Sequence, residues 1–359
     1  MKVLFAPSIP WLPHQKDHTD DQSPDATKFF RYLEKEGIES IIIDPNSRPW
    51  NPFAGKNPLL QSIDPIRALR ISLLHRDIDV VVSVFEGAAA SVGAMRRLLG
   101  FRAAIVLWDI GLTNWRLRHK IINFLLPKID ALFVLGKNQI EHIEKTYTPC
   151  QSITQVGHYV DTDFYVQEPL QMNGYILSVG EDIGRDYLTF VDAVKSIDRS
   201  VKIKANNPRI DTKCPNLEIV RERLSYAGLR ELYAKSSIVV MPSFKTDNAS
   251  GVSTILEACA SGRPLIVTDN PGIHDFIIPG KTCLVVPVQD ASAMRNAIDQ
   301  LLSDEELCFT LAANARQFVE ETCSTSAFAR RFAHHLRLAD AANKQKKNQQ
   351  NRFFRKIRH

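Results

Sequence analysis

The sequence predicts two α/β domains in tandem, each a doubly wound parallel sheet with helices on both faces. Short β-branched runs alternate with helix-period segments from the first residue. That alternation restarts after a turn-rich stretch at 157–171. A chain of 359 residues also exceeds what one hydrophobic core ordinarily fills.

In the first half the expected strands are Lys2–Ala6, Ser40–Asp44, Asp79–Val84, Ala103–Leu107 and Ala131–Leu135, with helices such as Ala26–Glu36 and Ile66–Leu74 between them. Runs this continuously apolar suit strands buried on both faces. In the second half Tyr175–Val179, Val201–Ala205, Leu217–Val220, Ile238–Met241, Pro264–Thr268 and Thr282–Val286 are strand-like. Helices are expected at Tyr187–Ile197, Leu229–Lys235, Ser253–Ala260 and Ala291–Leu302. Ala312–Asp340 then reads as helix and Ala341–His359 as polar and basic. The domains expected are 1–165 and 166–325, followed by a helix over 326–343 with a route back to the first domain and a basic tail over 344–359.

Composition narrows the function. Hydrophobic residues at 44% and charged residues at 24% describe a packed globular body. The opening apolar run is broken by Pro7, Pro10 and Pro13, too short for a secretory segment, and no run reaches the roughly 18 apolar residues of a membrane span. Six scattered cysteines without Cys-x-x-Cys spacing read as reduced thiols, and the expected location is the cytoplasm. The net charge of +5 is local, because Lys344–His359 holds seven Lys or Arg and no acid. Without those seven, 38 basic residues face 40 acidic ones, so a nucleic-acid surface is not expected. With Phe353, Phe354 and Ile357 among its cations, the tail suits either an anionic membrane surface on the inner face of the cell or a solvated disordered end. Trp115–Lys128 has a similar basic amphipathic pattern that a core-packed helix would also show.

The segment richest in chemistry runs from Ser243 to Thr268. A strand ending at Met241 leads into a Ser/Gly loop, then a helix that opens on Ser250, Gly251, Val252, Ser253 and Thr254 and ends at Gly262. The first N–H groups of such a helix, with its dipole, suit a diphosphate without a metal. Glu257, one turn further, is placed to accept from ribose hydroxyls, although a plain Ser cap and an exposed Glu would look alike. A second glycine loop, Ser178-Val-Gly180-Glu-Asp-Ile-Gly184-Arg185-Asp-Tyr187, joins the first strand of this half to its helix.

Together these segments resemble the retaining glycosyltransferases of family four, which have the two-domain GT-B fold. The resemblance also rests on Gly157-His-Tyr-Val-Asp161-Thr-Asp-Phe164, Lys128–Leu135, Leu229–Pro242 and Asn270–Ile277, all in the family's order. It implies transfer of a sugar from a nucleoside diphosphate donor to a glycan or lipid-linked acceptor, with the donor as substrate and neither cofactor nor metal. It implies that Arg185 neutralises the departing diphosphate, that Gly180 and Gly184 shape its loop, and that backbone groups at Leu224–Tyr226 hold the base edge. In the first domain it points to Asp109 facing the donor sugar, where a helix-capping Asp is an equal reading; Glu86-Gly87, read as a strand end on the cleft side where α/β sheets bind ligands, is the acceptor-side candidate. Two positions depart from the pattern: Glu181 stands where the family has a second basic residue, and Ala249 where many members carry a Glu that contacts the donor sugar. These leave a second reading open, a catalytically impaired nucleotide-sugar-binding or partner subunit. The acidic and histidine-bearing loop Ser8–Ser23 reads as acceptor-side loop rather than metal site.

Overall fold

The structure, a computed structural model, describes residues 1–11, 23–25, 27–47, 50–51, 63–84, 86–108, 128–147, 151–206 and 214–357, with side chains as far as 349. Its contacts divide the chain into two units. The first holds Met1–Asp17, Ala26–Val156 and Ala329–His359; the second holds His18–Asp25 and Gly157–Phe328.

The first unit is a six-stranded parallel sheet in the order β2-β1-β3-β4-β5-β6. Its strands are β1 (Lys2–Ala6), β2 (Glu39–Ile42), β3 (Val80–Val84), β4 (Ala104–Trp108), β5 (Ala131–Val134) and β6 (Ile153–Gln155). The helices are α1 (Lys28–Lys35), α2 (Pro65–Leu74), α3 (Glu86–Leu99) and α4 (Lys137–Thr146). Every residue of β3, β4 and β5 is buried, as the apolar runs require. Helix α2 starts where Pro65 follows Asp64, whose carboxylate accepts from the Arg67 N–H.

The second unit has the order β12-β11-β10-β7-β8-β9. Here β7 is Tyr175–Val179, β8 Val201–Lys204, β9 Leu217–Val220, β10 Ser236–Met241, β11 Leu265–Thr268 and β12 Leu284–Val286. Helices α5 (Tyr187–Val194), α6 (Tyr226–Ala234), α7 (Val252–Ala260), α8 (Ala291–Ser303) and α9 (Glu305–Thr322) complete it. Asp186, Ser225, Asp290 and Asp304 cap α5, α6, α8 and α9 in turn. Counted within this unit the strand order is that of a Rossmann fold, with the first strand, β7, hydrogen-bonded to the fourth, β10.

Three expectations change. The unit boundary falls at 156/157 rather than 165, because residues 157–165 are tied to later parts of the second unit: Val160 bridges to Ser324, and Arg316 donates to the carbonyls of Thr162 and Tyr165. The helix expected over 312–340 is two helices, broken at Cys323–Ser324, where the Cys323 carbonyl accepts from the Val160 N–H and the Ser324 hydroxyl accepts from Ala327. Third, the last helix, α10 (Thr325–Ile357), continues through most of the segment expected as a tail. Its residues from 329 group with the first unit, where the Phe332 ring lies 4.9 Å from Trp108, 5.2 Å from Phe133 and 5.5 Å from Phe29. Among the described residues no helix is long and apolar enough to cross a membrane.

Candidate functional site

In the second unit the strand order reverses between β7 and β10, and ligands of open α/β sheets bind outside the carboxyl ends of strands at such a point. Both glycine-bearing loops leave from it: 180–186 follows β7, and 242–251 follows β10. They are laced together, the Asp186 N–H donating to the Pro242 carbonyl and the Phe244 N–H to the Gly184 carbonyl.

Arg185 lies at the centre. It is 7% exposed, and its guanidinium sits between two glycines. A β-carbon on Gly180 would fall 1.9 Å from Nε, and one on Gly251 would fall 2.5 Å from Nη1. Gly251 also has a φ of +87°, so a side chain there is strained as well as crowded. The Nη2 atom donates to the Thr254 hydroxyl at 3.1 Å, which anchors the guanidinium to the first turn of α7. Nε and Nη1 are buried without a hydrogen bond, the nearest carboxylate being the half-exposed Asp182 at 3.5 Å from Nε. The Ser250 hydroxyl is also buried and unpartnered. Buried polar groups are rarely left so. Two cationic N–H groups, a hydroxyl and a helix N-terminus thus converge on one spot, the donor set an anionic oxygen cluster requires.

Glu257 lies on α7 one turn beyond Thr254. The Tyr233 hydroxyl, wholly buried, donates to its carboxylate at 2.9 Å. Burial pushes the Glu257 carboxyl up to about 7, against the lowering pull of the Tyr233 and Tyr165 hydroxyls and of Arg185. It is a poised acceptor, half-ionised near neutrality.

Comparison with known proteins bears on what this site is. Residues 219–318 match the family model of glycosyl transferases group 1. The capsular polysaccharide biosynthesis glycosyltransferase CapM of Staphylococcus aureus is 26% identical over 232 residues, 60% of this chain and 58% of that one. That stretch of the second unit is similar to the group 1 glycosyltransferases. It spans somewhat over half the length of the curated relatives it matches. Sucrose-phosphate synthase from Thermosynechococcus elongatus superposes with a TM-score of 0.72 at 16% identity, covering 95% of this chain and 100% of that one. Anabaena HepE in complex with UDP-glucose gives 0.66 at 12%, covering 94% and 99%. Both likenesses show the GT-B fold.

The remaining sequence-derived residues fall unevenly. Thr254 is spent on Arg185, and the Val252 N–H reaches the Ala249 carbonyl at 3.4 Å. Ser253 is exposed, its hydroxyl 3.3 Å from His158, a histidine whose imidazole burial pushes down to about 4 and so keeps neutral. Leu224 precedes the Ser225 cap of α6 and, with Arg221, Glu222 and Gly228, lines a cavity of about 470 Å³ between β9 and that helix. Glu86 and Gly87 do not end a strand: β3 stops at Val84, and both residues are buried in the first turn of α3, whose helix continues through Ala88–Ala90. Asp109, most of the loop 8–23 and residues 115–127 lie outside the described residues.

Glu181 takes a definite part that sequence alone did not reveal. Its carboxylate accepts from Lys204 Nζ and from the Asn206 N–H, both at 2.7 Å. Burial opposes its charge, but those two donors outweigh that and hold it below the usual carboxylate range. The negative charge is thus matched by a cation from β8. His158, Tyr233 and Asn270 lie in the motif stretches quoted above without having been given a role, and Tyr165 lies just outside them; the Asn270 amide ties Ser243 and Phe244 to Thr246 and so holds the β10 loop. Each comes from an element distant in sequence, and only spacing across the sheet would have signalled it.

Proposed function

We propose that the protein transfers a glycosyl unit from a nucleoside diphosphate sugar to a hydroxyl of a glycan or lipid-linked acceptor, with retention and without a metal ion. The observation that carries this is the buried Arg185 guanidinium, held between Gly180 and Gly251 with two donor atoms unspent. In the proposed reaction the bond from anomeric carbon to phosphate oxygen breaks, and negative charge grows on the diphosphate. Arg185, Ser250 and the α7 N-terminus stabilise that charge, Glu257 holds the ribose, and backbone groups near Leu224 face the base. The acceptor proton passes to the departing phosphate oxygen, so no protein nucleophile is required. HepE holds UDP-glucose and CapM serves capsular polysaccharide biosynthesis, which makes UDP-hexoses the first donors to test and a polysaccharide or glycolipid acceptor the first choice. The site of action proposed is the cytoplasm, at the inner membrane face.

The test is a panel of nucleotide sugars assayed for hydrolysis or transfer with a chelator present. Turnover of one donor, lost in Arg185→Ala, supports the reading. Ala249, which leaves no carboxylate at that position, favours a second reading, a donor-binding subunit without catalysis. Tight donor binding with no turnover of any donor by the wild type would establish that one instead.

A further inference from the structure

The first unit carries an aliphatic surface that the transfer reaction does not use. Helix α2 buries Arg67, Ala68, Ile71 and Ser72, which turns Ile66, Leu69, Leu73 and Leu74 outward. Leu74 is 70% exposed, and Leu98, at the end of the neighbouring α3, is 74% exposed. Large aliphatics at i, i+3 and i+7 normally mark the buried stripe of a helix, yet here that stripe faces outward beside a second, separate buried one.

Arginines predominate on the two helices, and Asp77, the exposed carboxylate that follows Arg76, is paired with Lys2 at 2.6 Å. Residues 65–76 and 87–102 contain no Asp or Glu, while Arg70, Arg76, Arg97 and Arg102 are exposed among them. Helix α10 arrives at the same corner. Asn343 Nδ2 donates to the Arg102 carbonyl, Lys347 Nζ donates to that same carbonyl, and Lys344 pairs with Asp79 at 3.1 Å and Asp340 at 2.7 Å. Together they line a cavity of about 560 Å³ with Arg76 and Gly100. After Asp340 the chain has no further acid, and its helix continues from this corner to Ile357.

We infer that the outward face of α2, with the end of α3, docks the first unit on an anionic lipid surface. Leu73, Leu74 and Leu98 enter the acyl boundary, Arg70 and Arg97 meet headgroup phosphates, and α10 adds cations from the adjoining corner. A short helix with aliphatics on one side and several arginines beside them matches the chemistry of a bilayer interface. Arg70, Arg76, Arg97 and Arg102 give it charge complementarity to anionic lipid, since Asp77, Asp79 and Asp340 nearby are paired with Lys2 and Lys344. This is a different surface from the carboxy-terminal segment that composition alone singles out, and it is independent of the donor site.

The experiment is co-sedimentation of the full chain with vesicles of phosphatidylcholine and phosphatidylglycerol in equal parts, beside vesicles of phosphatidylcholine alone. Wild type is expected to partition onto the mixed vesicles only, and less at high salt. Leu73→Glu with Leu74→Glu, and separately Arg70→Glu with Arg97→Glu, should each weaken partitioning at least about tenfold, with the melting temperature unchanged. Leu73→Gln with Leu74→Gln repeats the test should the glutamates disturb folding. Deleting 350–359 should leave measurable binding. Wild type remaining in the supernatant, or either double variant sedimenting as wild type does, would overturn the inference. So would a lipid-free dimer in analytical ultracentrifugation that Leu73→Glu with Leu74→Glu disperses, since the face would then belong to a second copy of this chain.

Discussion

Arg185, on the loop after β7, and Glu257, on α7, should fail differently when changed. Arg185 is held so that its spare N–H groups are dry and fixed in advance, and charge that develops during bond breaking gains most from such donors. Arg185→Ala should therefore lower kcat by about a hundredfold or more while changing donor affinity much less, read from steady-state kinetics beside calorimetric donor binding. In the proposed reaction Glu257 holds the ribose in ground and transition state alike, so Glu257→Gln should chiefly raise the donor KM, by about ten- to a hundredfold for a lost charge-assisted hydrogen bond. Its pH behaviour supplies an independent reading. With a carboxyl titrating at about 7, donor KM should fall as pH rises through neutrality and the acceptor ionises, and that dependence should vanish in Glu257→Gln. Stability moves the other way. The native state keeps this proton to about pH 7 and the unfolded chain only to its ordinary 4.5, so this group favours folding below 4.5 and that contribution is lost as pH climbs from 4.5 to 7. A Glu257→Gln protein whose Tm still falls in that window would contradict the assignment.

Elements differ in how far their sequence announces them. The strands were legible because burial on both faces favours short runs rich in β-branched residues, such as Val80–Val84 and Ile238–Val240, and each expected strand lies within a residue or two of its place. The β6 strand was not foreseen, since three half-buried residues carry no pattern. The α7 N-terminus was legible because Gly and Ser before an apolar helix are a local motif, whereas its meaning depends on Arg185 reaching across from the β7 loop, a tertiary fact. The break at Cys323–Ser324 was hidden in part for the same reason: the Ser324 hydroxyl that accepts from Ala327 is a local cap, but the pairing with Val160 is tertiary. Beyond that break α10 belongs to the first unit through Phe332, which is fully buried among aromatic rings. Phe332→Ala should cost about 3–5 kcal/mol and expose α10 to proteolysis, measured by denaturant unfolding and limited trypsin digestion. A loss under about 1 kcal/mol would show that the helix is not docked there.

Across the whole molecule, the proposed donor residues that the structure describes lie in the second unit, while the first carries most of the carboxy-terminal helix and the exposed aliphatic face. Lys344 is part of a largely exposed ion-pair set with Asp79 and Asp340, worth about 1 kcal/mol or less, so deleting 344–359 should lower Tm by no more than about 2–4 °C. Donor binding should survive that deletion unchanged, because every donor residue assigned in the second unit lies before 258. A truncated protein that no longer binds donor would show that the separation between units is not functional. The most direct test of the diphosphate cradle is calorimetric titration of the full chain with UDP, GDP, ADP and CDP in turn, with chelator present, repeated on Gly251→Val. The cradle predicts that one nucleoside diphosphate binds the wild type without metal and that Gly251→Val abolishes it, because a side chain at 251 occupies the space of the Arg185 guanidinium. Binding of none of the four, or equal binding by wild type and Gly251→Val, would contradict it.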